Sequence, residues 1–261
     1  MNAPMQRVAD RVAAALIEIG AKDIWGIPGG TISPVVDACR SAGLGIQTCV
    51  NENTAAYLAS GVSAMGGVGV VYVTSGPGAL GALAAIAAAH QDGHALLVLV
   101  GDIKREQRGL GVIQDHSEGG LRMQQVMGAV AKASYRIEQS RHADLFIKRG
   151  WQEASSGNPG PVILECPMDV LMATSFQPRL ELDLPGPDLR VSKKALRRFA
   201  AVAKGDCVLA IGAGALTRGV HAELVLAAAE ALDAQVVCEP EARGLLDELH
   251  PRYAGRLGIG G

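Results

Sequence analysis

GVGVVYVTSGPGALGALAAIAAAHQDGHALLVLVGD, residues 67–102, is the stretch of sequence that decides the fold. It begins with one apolar run, 67–73, and ends with another, 95–101, and both have the length of a strand. Between them, 77–93 consists almost wholly of small residues and predicts a helix that neighbouring elements can approach closely. Continuous apolar strands are typical of the interior of a parallel sheet, so the stretch predicts a parallel strand–helix–strand unit.

The same alternation of helix and strand continues on both sides of this stretch. The first helix has an apolar stripe at helical spacing, formed by Val8, Val12, Ala15, Leu16 and Ile19. A second helix is predicted over 33–43, with Ser33 as its cap and Pro34 at its first position. Strands are predicted at 23–27, 45–50, 131–137 and 160–166, and helices after Glu52, near 118–128 and near 142–155. The pattern predicts an α/β fold, a doubly wound parallel sheet that binds ligands outside the carboxyl ends of its strands.

The predicted domain organisation has two parts joined by a linker. Residues 1–171 contain the alternation described above. Residues 172–193 hold three prolines and no helical period, so we interpret them as a linker. Residues 194–261 begin a second α/β unit with two predicted helices and two predicted strands. Because this is too little for a separate doubly wound domain, we expect the second domain to be partial.

The composition argues against several classes of function. The chain has 261 residues, 24 of them basic and 26 acidic, and no basic stripe, so nucleic acid is not expected as a partner. No run is long and apolar enough to suggest a membrane span. The five cysteines form no CxxC motif, and four of them lie in apolar strand-like runs. This pattern favours buried thiols in a reducing cytoplasm over disulfides or zinc ligands, and predicts a cytoplasmic protein.

One carboxylate stands at the start of a predicted helix. In CVNENTAAYLASGVSAM, residues 49–65, Glu52 is the only acid between Asp37 and Asp92. One interpretation is structural, because Asn51 can cap the helix and the helix dipole stabilises a carboxylate in the first turn. The other is chemical, a carboxyl that exchanges protons near neutrality. Because the dipole favours the ionised form and burial the neutral form, a catalytic Glu52 has to be buried under a ligand.

Three turns that follow predicted strands share a composition suited to close contact with a ligand. They are WGIPGGTISP (25–34), CVNENTAA (49–56) and VTSGPGALGA (73–82). Gly29, Gly30, Gly76 and Gly78 would let the backbone approach a flat ligand closely. Ordinary turn glycines are the alternative interpretation.

Five blocks of sequence, in this order, resemble a known family. They are GIPGGTISPVVDA (26–38), NENTAAYLASGVSAM (51–65), TSGPGALGALAAIAAAHQDGHALLVLVGD (74–102), GVIQDHS (111–117) and GNPGPVILECPMDV (157–170). Together they are similar to the pyrimidine-binding (PYR) domain of thiamine-diphosphate-dependent enzymes, in the acetolactate synthase-like group of 2-oxo acid decarboxylases and carboligases. The resemblance covers about residues 5–170. Residues 194–261 are similar to the first half of that family's central α/β domain, which binds FAD or a nucleotide in some members.

The resemblance implies a set of site residues. Glu52 would be catalytic, with its carboxyl bonded to N1′ of the cofactor's aminopyrimidine, an interaction that promotes removal of the thiazolium C2 proton. Gln114 would contact the substrate or an intermediate, with a solvated loop amide as the alternative. The implied cofactor-binding residues are Pro28, Gly29, Gly30, Glu52, Thr74, Ser75, Gly76, Pro77 and Gly78. The chain departs from the family at Asn51, where a histidine is usual, and at Gly81, where a polar residue is common.

The resemblance also implies partners. The family holds the diphosphate through Mg²⁺, using a GDG motif and an asparagine pair on a separate PP domain. Here GDI (101–103) and GDC (205–207) lack the third glycine, and no Asn-Asn pair occurs. We therefore expect a partner chain with GDG…NN to hold the diphosphate and Mg²⁺. PYR–PYR homodimer contacts and a small 2-oxo acid substrate such as pyruvate are also expected. The chain would then be inactive alone; the alternative is a non-catalytic, truncated scaffold or regulatory subunit.

Two other motifs give weak signals. His90 and His94 have a spacing found in zinc sites, but Gly93 interrupts the helix, so no zinc site is expected. The stretch IGAGALTRG (211–219) is reminiscent of a dinucleotide turn, but lacks the full spacing and the acid that would bind a ribose.

Overall fold

A computed structural model gives the fold and describes residues 6–115, 120–175, 191–203, 207–217 and 219–258. Internal contacts divide the chain into two units, residues 1–187 and 188–261. The predicted linker, 172–193, lies largely outside the described residues. The predicted domain boundaries therefore stay predictions.

The first unit contains eight strands and eight α-helices within the described residues. The strands are β1 (Gln6–Arg7), β2 (Asp23–Gly26), β3 (Gly45–Thr48), β4 (Gly69–Val73), β5 (Leu96–Asp102), β6 (Ala133–Arg136), β7 (Pro161–Pro167) and β8 (Thr174–Ser175). The helices are α1 (Val8–Glu18), α2 (Ser33–Ser41), α3 (Glu52–Ala64), α4 (Pro77–Gly81), α5 (Leu83–Gln91), α6 (Met123–Gly128), α7 (Ala143–Ser155) and α8 (Met168–Met172).

Six of these strands form one parallel sheet in the order β3-β2-β4-β5-β7-β6. The central strands β4, β5 and β7 are buried along their whole length, as their continuous apolar runs predict. The short strands β1 and β8 pair antiparallel and form a separate ribbon. The predicted parallel α/β sheet is confirmed.

Helices cover both faces of the sheet, and each face has its own apolar core. One core joins α1, α2, α7 and α8 to residues such as Leu97 and Leu99 of β5. The other joins α3, α4, α5 and α6 to Val98 and Val100 of the same strand. Since successive strand residues point to opposite faces, a strand buried on both sides must be apolar throughout. This arrangement is the doubly wound one that the sequence predicts.

The helix predicted over 77–93 is divided in two. Helix α4 ends at Gly81 and α5 begins at Leu83, with Ala82 between them. The side chain of Asn53 on α3 accepts a hydrogen bond from the backbone N–H of Ala85 at 2.9 Å. The side chain of Asn53 therefore caps the first turn of α5 and favours the start of a new helix there. Gly81, which has a low helix propensity, favours the end of α4 just before it.

The start of α2 corrects another prediction. Ser33 was expected to cap this helix, but Ile32 is at the cap position and no side chain caps it. Ser33 is instead the first helical residue, and its hydroxyl donates to the carbonyl of Gly29 at 2.8 Å. The hydroxyl therefore bonds backward to the preceding turn, a local alternative open to serine. The predicted cap of α3 is confirmed, because Asn51 accepts a hydrogen bond from the N–H of Thr54 at 2.7 Å.

The second unit contains α9 (Lys193–Val202), β9 (Val208–Ile211), α10 (Gly214–Thr217), α11 (Ala222–Ala231), β10 (Gln235–Cys238) and β11 (Tyr253–Arg256). Its strands form a parallel sheet in the order β11-β10-β9. The sequence predicted only two of them. Strand β11 lacks an apolar run, its pairing with β10 contains a register shift, and Gly255 has φ of 128°, so it carries no regular strand pattern.

The cysteines follow the prediction in part. All five are free thiols, and Cys39, Cys166 and Cys238 are buried. Cys49 and Cys207 are only partly buried, because one follows the edge strand β3 and the other precedes β9. None of the described helices has the length and apolar character needed to cross a membrane.

Candidate cofactor site

Four loops of the first unit meet at one edge of the six-stranded sheet. They follow β2, β3, β4 and β5, which are neighbours and run parallel. The carboxyl ends of these strands therefore lie side by side, where α/β sheets bind ligands. Three of the loops are the turns singled out in the sequence, and the fourth carries Gln114.

The turns after β2 and β4 contact each other through hydroxyl groups. Thr31 Oγ1 and Thr74 Oγ1 lie 2.9 Å apart, and the backbone N–H of Ser75 donates to Thr31 Oγ1 at 3.3 Å. A Cβ on Gly29 would lie 2.5 Å from the Cβ of Thr74, and one on Gly101 would lie 2.5 Å from Thr31 Oγ1. Both positions therefore need glycine because the turns pass so close together.

Gln114 joins this cluster from the loop after β5. The buried hydroxyl of Ser75 donates to Gln114 Oε1 at 3.2 Å. Gly76 and Gln114 both have φ of 65°. This left-handed backbone is ordinary for glycine but uncommon for glutamine, and such conformations cluster at functional sites. This hydrogen bond joins Ser75, which the resemblance implies in cofactor binding, to Gln114, which it implies in contact with the substrate.

Glu52 is the first residue of α3, and its carboxylate lies beside α4, the helix that follows the turn after β4. Its side chain is half-buried, and no hydrogen bond joins it to another described residue. A Cβ on Gly78 would lie 3.3 Å from Glu52 Oε1, and a Cβ on Gly81 would lie 2.9 Å from Glu52 Oε2. The carboxylate thus rests against two glycines of α4. The departure at Gly81 gives it room to do so.

The remaining predicted cofactor residues lie at the rim of this cluster. Pro28, Gly30 and Pro77 are exposed, and a Cβ on Gly30 would meet no atom within 4 Å. These three residues lie at the same edge of the sheet as the cluster, but they do not take part in its close contacts. An exposed rim is open to a ligand or to a second protein.

A group of charged side chains lies beside this edge, at the ends of β5, β6 and β7. Arg108 Nη2 lies 2.9 Å from Asp102 Oδ2, and Arg108 Nη1 lies 3.2 Å from Glu138 Oε1. Arg136 Nε donates to the fully buried Glu165 at 2.6 Å. Burial acts to lower the pKa of Arg108, but the hydrogen bond and the charge of Asp102, together with Glu138, raise that pKa above its ordinary value. Arg108 therefore stays charged.

Several of the contacting residues were not identified from the sequence. Thr31, Asn53 and Gly101 make contacts that order the turns. They lie within the blocks that resemble the family, but the sequence offers no reason to assign them a role. The only local signal is that Thr31 follows a glycine pair and Asn53 follows Glu52. The partners of Thr31 and Asn53 lie 32 to 44 positions away along the chain, and Gly101 of β5 lies against Thr31 of the turn after β2, so only the fold brings them together.

The two weak motifs have clear structural settings. His94 Nδ1 lies 2.8 Å from the hydroxyl of Ser60, just before β5 and so at the opposite edge of the sheet. Within the described ranges, no group of three or more histidine, cysteine, aspartate or glutamate side chains could hold a metal ion. In the second unit, Glu239 follows β10, and a Cβ on Gly212 would lie 2.6 Å from its carboxylate. An acid therefore does stand beside the glycine turn, contrary to the expectation from the sequence.

Comparison with known proteins assigns the first unit to a family. Residues 6–135 match the family described as thiamine pyrophosphate enzyme, N-terminal TPP binding domain. This part of the chain belongs to that family. The predicted resemblance is confirmed, and all ten predicted site residues lie within the matched range of this TPP-binding domain.

Individual relatives of this TPP-binding domain chain are acetolactate synthases. The chain is 32% identical to the acetolactate synthase isozyme 3 large subunit of Escherichia coli K12, over 97% of its own length and 45% of that protein. It is 31% identical to acetolactate synthase of Mycobacterium bovis, over 97% of its length and 41% of the relative. A probable acetolactate synthase large subunit of Methanococcus aeolicus is 30% identical, with 97% and 43% covered. The chain thus spans less than half the length of these curated relatives.

Proposed function

We propose that the chain is the PYR-domain subunit of a split thiamine-diphosphate-dependent enzyme that acts on pyruvate or another 2-oxo acid. The reaction would be decarboxylation or carboligation of the acetolactate synthase-like type, which makes the complex a lyase or a transferase. The observation that carries the proposal is the position of Glu52. Its carboxylate has no hydrogen bond to any described residue and lies against Gly78 and Gly81 at the carboxyl edge of the sheet.

The residues present fit the pyrimidine half of the cofactor. Gly76 and Gly78 are buried, and because they lack side chains, Gln114, Thr74 and Glu52 can pack against the turn that we expect to face the pyrimidine ring. The carboxylate of Glu52 is half-buried and has no hydrogen bond to a described residue, so it can accept one from a bound ring. Pro28, Gly30 and Pro77 form the exposed rim at which a second domain can cover the ligand.

Each residue has a distinct role in this proposal. Bound thiamine diphosphate supplies an electron sink for breaking the bond between C1 and C2 of a 2-oxo acid. Glu52 holds a proton shared with N1′ of the aminopyrimidine, and burial beneath the ligand and the partner would let it exchange that proton. Gln114 offers an amide to the substrate, and Ser75 fixes the direction of that amide through Oε1. Thr74, together with Gly29, keeps the turns after β2 and β4 in contact.

The diphosphate and Mg²⁺ require groups from elsewhere. The chain contains neither a GDG motif nor an asparagine pair. We therefore assign these ligands to a PP domain on a partner chain, with PYR–PYR contacts between two copies of this chain, and we expect the chain to be inactive alone. The second unit would form part of a central FAD- or nucleotide-type domain.

The first test identifies the partner. The tagged chain is recovered from its native cells, and the proteins that accompany it are identified by mass spectrometry. A co-purifying chain with GDG…NN, and pyruvate turnover by the mixture in thiamine diphosphate and Mg²⁺, would support the split enzyme. Turnover by the chain alone would contradict the need for a partner chain. If no partner co-purifies and no turnover is seen, the result would favour the non-catalytic scaffold.

The second test addresses Glu52 in that complex. We expect Glu52→Gln to lower kcat by about 10²- to 10⁴-fold, because glutamine cannot exchange the proton. Glu223→Gln is the matched control, since Glu223 is an exposed glutamate in the first turn of α11. Loss of activity in both variants would indicate a general effect on folding, and full activity of Glu52→Gln would overturn the role of Glu52.

A further inference from the structure

The loop after β5 presents Gln114 to the site in an unusual way. Gln114 has a left-handed backbone, with φ of 65°, and its amide meets the hydroxyl of Ser75. A non-glycine residue keeps such a backbone only where the surrounding structure determines it. The contacts that hold this loop therefore set the position of Gln114.

Apolar packing contributes little to holding the loop. Leu110 and Ile113 are 73% and 88% exposed, and Val112 is only partly buried. Hydrogen bonds close the segment instead. The carboxylate of Asp115 accepts from the N–H of Gly109 at 2.7 Å, and the N–H of Asp115 donates to the carbonyl of Val112 at 3.2 Å. Residues 109–115 thus form a small closed ring that carries Gln114.

Arg108 connects this ring to the sheet. One end of its guanidinium donates to Asp102 at 2.9 Å, and the other donates to Glu138 at 3.2 Å. Asp102 is the last residue of β5 and only 1% exposed. Its carboxylate also lies 3.9 Å from Arg136, which in turn bonds Glu165 of β7. Arg108, which precedes the ring, therefore bonds residues at the ends of β5 and β6, and Asp102 and Arg136 extend the group to β7.

We propose that Arg108 is a positioning residue that holds the 109–115 ring so that Gln114 reaches Ser75 and the substrate side of the site. The proposal rests on the proposed function, because it assumes that Gln114 contacts substrate. Arginine suits this task because its planar fork bonds two carboxylates at fixed angles, whereas lysine offers a single ammonium group. A purely structural role would stabilise the fold without acting through Gln114.

Amide hydrogen exchange on the full chain tests the anchor without cofactor or partner. We expect the N–H of Asp115 to exchange about tenfold faster in Arg108→Met, because the ring opens more often. Amides of α3 should keep their wild-type rates. Arg108→Lys should give an intermediate rate, since lysine can keep one of the two contacts. Arg40→Ala, which removes an exposed pair with Asp37 on α2, is the matched control and should change neither region. An unchanged rate at Asp115 in Arg108→Met would overturn the proposal.

A double-mutant cycle in the active complex tests whether Arg108 acts through Gln114. We expect Arg108→Met to lower kcat/KM by about tenfold in the wild-type background, as small displacements of a positioned group do. In the Gln114→Ala background the same change should have no further effect. Equal losses in both backgrounds would overturn the positioning role. If the wild-type complex has no 2-oxo acid turnover, the proposed function is wrong, and the exchange rates alone then decide whether Arg108 holds the loop.

Discussion

At the scale of single residues, the candidate site depends on the absence of side chains around one carboxylate. Glu52 Oε1 and Oε2 lie where a Cβ on Gly78 or Gly81 would crowd them. The carboxylate keeps its place because both positions are glycine. Asn51 caps the helix that carries it, so the helix start is stable without help from Glu52.

Gly81→Ala should therefore separate stability from activity. Gly81 is the last residue of α4, and alanine favours a helix by up to about 1 kcal/mol, so the free energy of unfolding should stay equal or rise. The new methyl group would lie 2.9 Å from Glu52 Oε2 and displace the carboxylate, so turnover by the complex should fall. Thermal unfolding and turnover are measured on the same preparation.

Gly61→Ala is the control for Gly81→Ala. Gly61 lies within α3, and a Cβ there meets no atom within 4 Å. Alanine at this position should leave turnover unchanged. If Gly81→Ala kept full turnover, the contact between Gly81 and Glu52 would have no catalytic importance.

At the scale of elements, one side chain joins two helices, α3 and α5. Asn53 on α3 caps α5, and this bond begins a new helix directly after α4. Helix α3 carries Glu52, and α4 carries the glycines that contact it. The Asn53 bond therefore helps to fix the distance between the carboxylate and its neighbours.

Asn53→Ala should lower the free energy of unfolding by about 1 kcal/mol, since it removes the cap of α5 and leaves a backbone N–H without its partner. Urea denaturation measures this difference. Asn158→Ala is the matched control, because Asn158 is exposed and its loss should have almost no effect. Equal stability of the two variants would show that α5 does not need this cap.

Local sequence patterns predict some of these elements but not all of them. Helix α1, the central strands and the cap of α3 follow from periodicity and cap residues, which act within a few positions. The break at Ala82 coincides with a bond from Asn53 on another helix, which no local pattern records. The missing cap at Ser33 goes with a bond to Gly29 four residues earlier, an alternative to capping that a cap residue alone does not reveal. Strand β11 was missed because pairing with β10, rather than its own composition, makes it a strand.

At the scale of the whole molecule, the two units have cores of very different size. The first has two apolar clusters, one on each face of a six-stranded sheet. The second has a single small cluster beside a three-stranded sheet. Because stability follows the apolar surface that folding buries, the second unit should be the less stable one.

Denaturant should therefore unfold the chain in two steps. Both tryptophans, Trp25 and Trp151, lie in the first unit, so their fluorescence reports that unit alone. Far-ultraviolet circular dichroism reports the helices of both units. We expect the dichroism to change first, at a lower urea concentration than the fluorescence. Coincident transitions by both probes would show that the two units unfold together.

The sequence by itself determined the parallel α/β sheet, because strand composition and helix period are local properties. The family of residues 6–135 and the candidacy of Glu52 came from the resemblance of whole sequence blocks to a known family, and not from composition or period. Only the tertiary structure showed that Thr31 and Gly101 lie together, that Asn53 caps α5, and that Arg108 joins the loop of Gln114 to the sheet. Each of them contacts a residue of another loop, strand or helix. Parallel pairing places those loops side by side, and no local pattern records which distant hydroxyl, amide or guanidinium then comes within hydrogen-bonding distance.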